Sequence, residues 1–468
     1  MKHTDKHLNN LHPKIHGTDG AKNLHQPAFA IDSLINYSTQ MAIFILSFIS
    51  SIIIARMLGP EGKGIYSFVF IVPIITKTII NLGMNSSNVY FIGKRRFPIN
   101  RIVGNAFFYS IFSGTGAAAL LIILVPFADE YFMHGTSNIF LYITIPTIPI
   151  LLLIENIYYF LLANRDMVEL SSFRLVQPII YIFALLFILL NHASLSVVEA
   201  IVANISGILA AVLLGSYFII KKKYFTGLVV DGNIFKETIT FGLKQHLGTV
   251  SQLLNYRVDM FIIAALLTPA DLGLYTISVL IAETIWYLPT SIGQVLFAKI
   301  ASVDEKVDDD FTPLVCRSVV FATLVSCIFL FIVSDFLIPL FFTSMFLSSV
   351  MALKLLLPGI FFFSISKILA LDLTGRGFPQ YFSFASAVAL CATIVFDLLL
   401  IPRLGINGAS LGSSISYFLG TIIIMYQFKK KSKVMLRDLL IIKLDDLSEY
   451  RRLVRYFIGR LKGEGYAG

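Results

Sequence analysis

Six charged side chains interrupt long apolar stretches of the sequence, and their types suit them to binding and coupling. Three are cations and three are carboxylates: Lys77, Arg257, Lys367, Glu155, Asp259 and Glu283. One such charge at the centre of a membrane-spanning helix costs about 2.5–3.5 kcal/mol, so each needs a partner or a water-filled cavity. Lys and Arg bind phosphate oxygens by charge and directed hydrogen bonds, whereas a desolvated carboxylate can hold a proton or Na⁺. We predict that the three cations bind a diphosphate and that at least one of the three carboxylates carries a coupling H⁺ or Na⁺, with Glu155 and Glu283 favoured because they come from opposite halves.

The candidate residues lie at similar depth in their apolar stretches. Glu283 is almost central, and Glu155 and the three cations lie within about one helical turn of that level. Arg257 and Asp259 are two positions apart on one helix, so they point in different directions and each needs a partner on another helix. The alternative is a set of buried ion pairs that only hold the helices together. Asp372 and Asp397 fall nearer the ends of their stretches, where we expect solvation at the membrane interface.

The composition excludes a soluble protein. Hydrophobic residues make up 56% of the 468 positions and charged residues 14%, with 41 Phe against one Trp and a mean hydropathy of +0.80. This is more apolar surface than one soluble core can bury. The three cysteines, Cys316, Cys327 and Cys391, lie in apolar segments without metal-ligand spacing, so neither a disulfide framework nor a metal site is indicated.

About twelve apolar runs reach the ~20 residues that a helix needs to cross the membrane. They lie near 37–58, 63–84, 102–127, 139–163, 175–190, 197–220, 241–267, 272–297, 319–342, 352–374, 382–401 and 409–428. The predicted fold class is therefore an all-α integral membrane protein with about twelve transmembrane helices.

An internal repeat divides these helices into two sets of six. The pattern Leu-x-Pro-x-x-x-Gly-[Ile/Leu]-Tyr-[Ser/Thr] occurs at 58–67 and again 209 residues later at 267–276, and 162–166 resembles 373–377 at a spacing of 211. We predict two pseudo-symmetric six-helix bundles, residues 31–225 and 226–430, related by an axis along the membrane normal. Two bundles that rock around a central site give alternating access, which favours transport.

The distribution of positive charge predicts the orientation. Thirty of the 37 Lys and Arg residues fall in loops and tails on the side of both termini, Arg174 among them, and four lie on the other side. Cytoplasmic loops carry the positive excess, so both termini are predicted to be cytoplasmic. The net charge of +9 is thus a topology signal and does not indicate nucleic-acid binding.

The two ends of the chain are polar. Residues 1–30 hold five of the eight histidines at irregular spacing and are predicted to be a disordered cytoplasmic tail. Residues 431–468 alternate apolar and basic positions, which is typical of a helix lying on anionic headgroups; a helix that docks a partner is the alternative.

Two motifs resemble those of a known family. Arg257-Val-Asp259 followed by Gly273-Leu-Tyr275 resembles the Arg-x-Asp and Gly-Leu-Tyr pattern of polysaccharide-export proteins. The stretch 397–409 resembles their Asn-x-x-Leu-Ile-Pro-x-x-Gly-Ile-x-Gly-Ala signature, with Asp397 in place of the usual Asn. The chain thus resembles the polysaccharide transporter family of O-antigen and exopolysaccharide repeat-unit flippases. This family lies within the superfamily that also holds multidrug and toxic compound extrusion (MATE) proteins and the lipid II flippase.

The resemblance implies a MATE-like fold and a flippase that moves undecaprenyl-diphosphate-linked oligosaccharides across a bacterial inner membrane. The implied partners are the lipid-linked oligosaccharide and membrane lipids, with a polysaccharide polymerase and a chain-length regulator acting downstream.

Other function classes stay open at this point. A MATE-type drug antiporter or a lipid II flippase would share the fold, although a drug antiporter would suit a cavity dominated by carboxylates and aromatic rings. A membrane-bound sugar polymerase or ligase would need a long external loop, and the longest predicted one, near 128–138, is short. No phosphate-binding loop or dinucleotide fingerprint occurs, so neither ATP-driven transport nor an enzyme with such a cofactor is indicated.

Overall fold

Every regular element in the described part of the protein is a helix. The computed structural model describes residues 19–128, 137–192, 194–227, 229–301, 311–432, 434–441 and 443. Its α-helices are α1 (Asp19–Ile80), α2 (Met84–Gly93), α3 (Ile99–Ala128), α4 (Ile139–Thr144), α5 (Ile148–Ala163), α6 (Met167–His192), α7 (Val197–Lys221), α8 (Gly232–Leu266), α9 (Pro269–Glu283), α10 (Tyr287–Ala301), α11 (Phe311–Phe342), α12 (Ser348–Gly375), α13 (Pro379–Leu404), α14 (Ile406–Lys431) and α15 (Leu436–Leu440). Short 3₁₀ turns, Ile145–Thr147 and Thr284–Trp286, join α4 to α5 and α9 to α10.

Twelve membrane spans can be assigned to these helices. Ten helical stretches of the described chain are long and apolar enough to cross a membrane. The first, Ile35–Ile80, has 46 residues and bends at Gly59, whose φ of 64° only glycine adopts freely, so it crosses twice. The twelfth span is α8, whose 35 residues include Arg257 and Asp259 and which is therefore less apolar. The predicted all-α membrane architecture is confirmed.

Several helices extend beyond the predicted apolar runs. α6 begins at Met167 and α8 at Gly232, each about two turns before the apolar run. α1 begins at Asp19, inside the segment assigned to a disordered tail, while residues 1–18 and most of the predicted basic tail lie outside the described part. Hydropathy detects only the part of a helix that lies in hydrocarbon, whereas the helix continues to where its backbone finds another cap.

The helix of the second span is interrupted, which the apolar pattern does not predict. α1 ends at Ile80, and α2 begins at Met84 after two residues with positive φ, Leu82 and Gly83. Gly83 lies directly against the backbone of Gly242 in α8: a Cβ on Gly83 would lie 2.2 Å from the Gly242 carbonyl oxygen. The start of α8, which we assigned to the second bundle, therefore packs on the first.

The two repeat motifs meet each other on the predicted external side. A Cβ on Gly64 would lie 1.8 Å from the carbonyl oxygen of Pro269, and one on Gly273 would lie 1.9 Å from that of Pro60. This reciprocity is what a twofold axis between equivalent segments produces. We call the crossing of Gly64 and Gly273 the external glycine contact, since only residues without a side chain allow the two backbones to come so close.

The tyrosines of the two motifs also have matching surroundings. Tyr66 accepts a hydrogen bond from Asn204 at 2.6 Å, and Asn204 precedes Ser413 by the repeat spacing of 209 residues. In the second half, Tyr275 and Ser413 both donate to the carboxylate of Asp259. Each half thus holds a buried polar cluster around its repeat tyrosine: in the first half the ammonium of Lys63 lies 5.7 Å from the ring centroid of Tyr66, whereas the second half has the carboxylate of Asp259.

The external glycine contact yields a stability prediction. Gly64→Ala or Gly273→Ala is expected to force the backbones apart and to lower stability by about 1–3 kcal/mol, as overpacking of a dense interface does. The matched control is Gly116→Ala, because a Cβ at Gly116 meets nothing within 4 Å. Thermal unfolding of the purified protein, followed by the fluorescence of its one tryptophan, measures the difference. Equal midpoints for the Gly64 and Gly116 variants would contradict the close approach.

Candidate functional site

A cavity of about 730 Å³ lies between the two sets of helices, in the predicted cytoplasmic half. Its wall combines amides, hydroxyls, aromatic rings and two charges, and it is formed by Asn36, Tyr37, Gln40, Phe44, Ser47, Phe48, Tyr158, Arg174, Leu280, Glu283, Thr284, Trp286, Tyr287, Thr290, Ser291 and Gln294. The first half contributes α1, α5 and α6, and the second contributes α9, α10 and the turn between them. We call it the inter-bundle cavity.

The turn between α9 and α10 shapes the second-half wall. Pro289 has no backbone N–H, so the carbonyl of Ile285 has no helical donor four residues on, and the helix tightens into the 3₁₀ turn Thr284–Trp286. The change of pitch lets Glu283, Thr284, Trp286 and Tyr287 all reach the cavity.

Glu283 on this wall forms a two-pronged ion pair with Arg257 of α8. The guanidinium nitrogens donate to the two carboxylate oxygens at 2.8 and 3.1 Å, and both side chains stay 26% exposed. A fork-to-fork pair of this kind is among the strongest hydrogen-bonded arrangements, yet its partial exposure leaves it open to competition by another anion. The structure thus joins a predicted substrate-binding cation to a predicted coupling carboxylate.

Lys77 and Glu155 form an ion pair in the first half. The ammonium group lies 2.7 Å from Glu155 Oε2, with side chains 20% and 21% exposed. The second oxygen, Oε1, accepts a hydrogen bond of 2.7 Å from the amide of Asn85. Both oxygens of Glu155 are therefore engaged within one bundle.

Lys367 is held by aromatic rings instead of a carboxylate. Its ammonium nitrogen lies 4.8 Å from the ring centroid of Trp286, 5.5 Å from that of Phe363 and 5.7 Å from that of Tyr256. Ring faces carry partial negative charge and stabilise a desolvated cation. By the repeat spacing of 209 residues, Trp286 occupies the position in the second half that Lys77 occupies in the first. The second half therefore has a cation–π contact at the position where the first half has an ion pair.

The predicted gathering of three cations in one cavity stays a prediction. Lys77, Arg257 and Lys367 are not among the residues of the inter-bundle wall, although Arg257 and Lys367 contact Glu283 and Trp286, which are. Lys77 pairs within the first bundle.

Asp259 lies apart from these pairs, in a buried carboxylate cluster with Asp397. Asp259 accepts hydrogen bonds from Tyr275 and, at 3.3 Å, from Ser413. Asp397 is 0% exposed, and neither of its carboxylate oxygens has a hydrogen-bond partner in the described part. It lies against Gly412, the chain neighbour of Ser413: a Cβ on Gly412 would be 2.3 Å from Asp397 Oδ1. We call Asp259 and Asp397, with Ser413, the carboxylate cluster.

The expectation of interfacial solvation for two acids was wrong. Asp372 and Asp397 are both fully buried. Asp372 accepts a 2.6 Å hydrogen bond from Arg376 one turn later and another from Thr312, so it is satisfied inside the protein. The error has a physical cause: distance from the end of a span says nothing about which face of the helix a residue occupies.

Arg174 is a further residue that sequence reasoning placed wrongly. It was counted as a loop charge, but α6 begins at Met167 and carries Arg174 about two turns into the helix and into the cavity wall. Its guanidinium donates to Asn36 Oδ1 at 2.8 Å and to Gln40 Oε1, and it lies 5.5 Å from the ring centroid of Tyr158. The amide pair Asn36 and Gln40, one helical turn apart at the start of the first apolar run, is a sequence signal for this site.

Comparisons with known proteins agree with this architecture. A family model described as polysaccharide biosynthesis protein matches residues 30–302, more than half of the chain. A membrane protein of Methanocaldococcus jannaschii is 23% identical over 345 residues, which cover 64% of this chain and 63% of that protein. The chain therefore spans less than two thirds of that relative's length.

Two solved transporters have a similar fold. The lipid II flippase MurJ in an inward closed conformation matches with a TM-score of 0.73 at 17% identity, over 93% of this chain and 94% of that one. An inward-facing multidrug resistance MATE family transporter of the MOP superfamily matches with a TM-score of 0.67 at 14% identity, over 85% and 98%. The predicted MATE-like fold is confirmed. By its match to the family model, the chain belongs to the polysaccharide biosynthesis protein family, and it is a multi-pass membrane protein with a MATE-like fold.

Proposed function

We propose that the protein is a flippase that moves undecaprenyl-diphosphate-linked oligosaccharide repeat units from the cytoplasmic to the outer leaflet of a bacterial inner membrane. The observation that carries this proposal is the wall of the inter-bundle cavity. Amides such as Asn36, Gln40 and Gln294 and the hydroxyls of Tyr37 and Tyr287 offer the donors and acceptors that sugar hydroxyls need. The volume lies within the range of ligand-binding pockets.

Alternating access supplies the movement in this proposal. The cavity lies in the predicted cytoplasmic half, while the external glycine contact joins the halves on the other side. The substrate head enters from the cytoplasmic leaflet, and separation of Gly64 from Gly273 releases it outside. Both termini are cytoplasmic in this arrangement, and a polysaccharide polymerase and a chain-length regulator would receive the product.

The Arg257–Glu283 pair links substrate binding to charge. A diphosphate entering the cavity competes with Glu283 for the guanidinium of Arg257, and protonation of Glu283 favours the substrate. Lys367, held on Trp286 at the cavity wall, adds positive charge nearby. In the first half, Lys77 pairs with Glu155. If the diphosphate replaces Glu155 during transport, Lys77 becomes the third cation that binds the substrate.

The carboxylate cluster is the second coupling element in this proposal. Asp397 has no partner in the described part and Asp259 retains its hydroxyl donors, so a proton or Na⁺ between them would remove the cost of two buried charges. A cation bound there on one side of the membrane and released on the other would drive the return of the empty carrier.

A cation-coupled multidrug antiporter is the second candidate function. Six aromatic rings and Glu283 line the cavity, which suits organic cations. Arg174 in the same wall opposes this function, because it would repel a cationic drug. Drug accumulation measured in the complementation strain described below separates the two candidates: a flippase restores polysaccharide export without changing drug resistance.

Substitutions of Arg257 and of Glu283 are expected to change substrate binding in opposite directions. Arg257→Ala removes one charge-assisted contact and is expected to weaken substrate binding by about 1.5–3 kcal/mol, roughly tenfold or more, with a smaller loss for Arg257→Lys. Glu283→Gln removes the competitor, so binding should strengthen while turnover falls. Complementation of a flippase-null strain at matched expression measures export, and titration of the purified protein with undecaprenyl diphosphate measures binding.

Arg403→Ala is the control for these variants, because Arg403 is exposed near the end of α13. Wild-type export from the combined Lys77→Ala, Arg257→Ala and Lys367→Ala variant would exclude a role for these cations in transport.

The carboxylate cluster predicts ion-dependent stability. A cation that binds only the folded protein raises its thermal midpoint, so the wild type should be stabilised by NaCl relative to choline chloride, or by acidification if the ion is H⁺. Asp397→Asn should be more stable without the ion and should lose the dependence, because it removes the unpaired charge. Asp335→Asn, an exposed acid, should keep the dependence. A full ion response in Asp397→Asn would show that the cluster is not the binding site.

A further inference from the structure

The cavity wall contains one cation whose charge is not cancelled by a carboxylate. Among the described residues of the wall, Arg174 and Glu283 are the charged ones, and Glu283 is taken by Arg257. We propose that Arg174, with Asn36 and Gln40, forms an entry subsite for the diphosphate group of the lipid-linked substrate. The proposal rests on the flippase function and adds a residue that receives the substrate before Arg257 does.

The contacts of Arg174 turn the surrounding amides into a donor surface. Arginine can only donate hydrogen bonds, so the atoms facing it on Asn36 and Gln40 must be the amide oxygens. The NH₂ group of Asn36 is then left for a ligand, whereas that of Gln40 also hydrogen-bonds to Tyr287. The subsite therefore offers guanidinium and amide N–H donors, a set that matches the acceptor oxygens of a phosphate and gives nothing to a cation.

Charge balance distinguishes Arg174 from two of the three predicted phosphate-binding cations. Lys77 and Arg257 each lie within hydrogen-bond distance of a glutamate, so an anion must displace that glutamate before it can bind them. Within the described part of the chain, Arg174 contacts only neutral groups, so an anion can pair with it without displacing a carboxylate. Binding of an anion to Arg174 therefore costs less free energy than binding to Lys77 or Arg257.

The orientation of Arg174 is fixed before a ligand arrives. Asn36 and Gln40 lie one turn apart on α1 and accept hydrogen bonds from two different guanidinium nitrogens. The ring centroid of Tyr158 on α5 lies 5.5 Å from the guanidinium. Contacts from two other helices restrict the plane of the guanidinium, which reduces the entropy lost when a phosphate binds its edge. A preorganised fork of this kind favours a doubly charged diphosphate.

Position along the helices places Arg174 nearer the cytoplasmic entrance than Arg257. Arg174 is seven residues after the start of α6 on the predicted cytoplasmic side, about 10 Å at 1.5 Å per residue. Glu283, the partner of Arg257, ends α9, which starts on the predicted external side, so this pair lies near mid-membrane. A diphosphate that enters from the cytoplasm meets Arg174 in the cavity wall before it reaches the Arg257–Glu283 pair, which contributes Glu283 to the same wall.

The test uses the fluorescence of Trp286, the only tryptophan of the chain and part of the same wall. The purified full-length protein in nanodiscs is titrated with undecaprenyl diphosphate, undecaprenyl monophosphate and inorganic pyrophosphate. We expect the lipid diphosphate to bind most tightly, and Arg174→Ala to weaken it roughly tenfold or more. Arg174→Lys should recover part of the loss, because it keeps the charge without the fork.

Asn36→Asp separates charge from packing. The new carboxylate has the same shape and still accepts from Arg174, but it neutralises the guanidinium, so it should weaken diphosphate binding as Arg174→Ala does while leaving the thermal midpoint near that of the wild type. Arg403→Ala should change neither quantity.

Three outcomes would overturn the subsite. They are unchanged binding in Arg174→Ala, unchanged binding in folded Asn36→Asp, and inorganic pyrophosphate bound as tightly as the lipid diphosphate, which would point to a free anion as the ligand. The proposed function fails separately, if the wild type binds no polyprenyl diphosphate and does not restore export.

Discussion

The hydrocarbon core of the membrane offers no hydrogen-bond partner, and this constraint governs where the charged side chains of the protein lie. The ion pairs Lys77–Glu155 and Arg257–Glu283 satisfy it by joining neighbouring helices at 2.7 and 2.8 Å. Asp397 does not satisfy it, since it is buried with both oxygens unpaired in the described part. Asp397 is therefore where we propose that a coupling ion binds.

Duplication supplies the frame on which these charges are arranged, and the two copies have diverged in chemistry. The backbones of the repeat motifs still cross reciprocally at Gly64 and Gly273. Around them, the cluster at Tyr66 includes Asn204 and the ammonium of Lys63, whereas the cluster at Tyr275 includes the carboxylate of Asp259. The scaffold is thus symmetric, while the buried side chains that it carries differ between the two halves.

Much of the fold was predictable because it depends on local properties of the chain. Apolar length located the spans, and the repeat related Pro60 to Pro269 before any contact was known. The exceptions depend on tertiary contacts. The break at Gly83 exists because the backbone of Gly242 packs against it, and the first turns of α8 belong to the other bundle for the same reason.

The sequence by itself determined which side chains would need a charged or polar partner, because the cost of burying a charge in hydrocarbon does not depend on which helix supplies that partner. It required Arg257 and Asp259 to look to other helices, and each does. Only the tertiary structure decided that Arg257 meets Glu283, 26 positions later, and that Arg174 faces a cavity while Asp397 faces none of its possible donors. Pairing between helices depends on their rotation and packing, and neither is encoded in the spacing of residues along one helix.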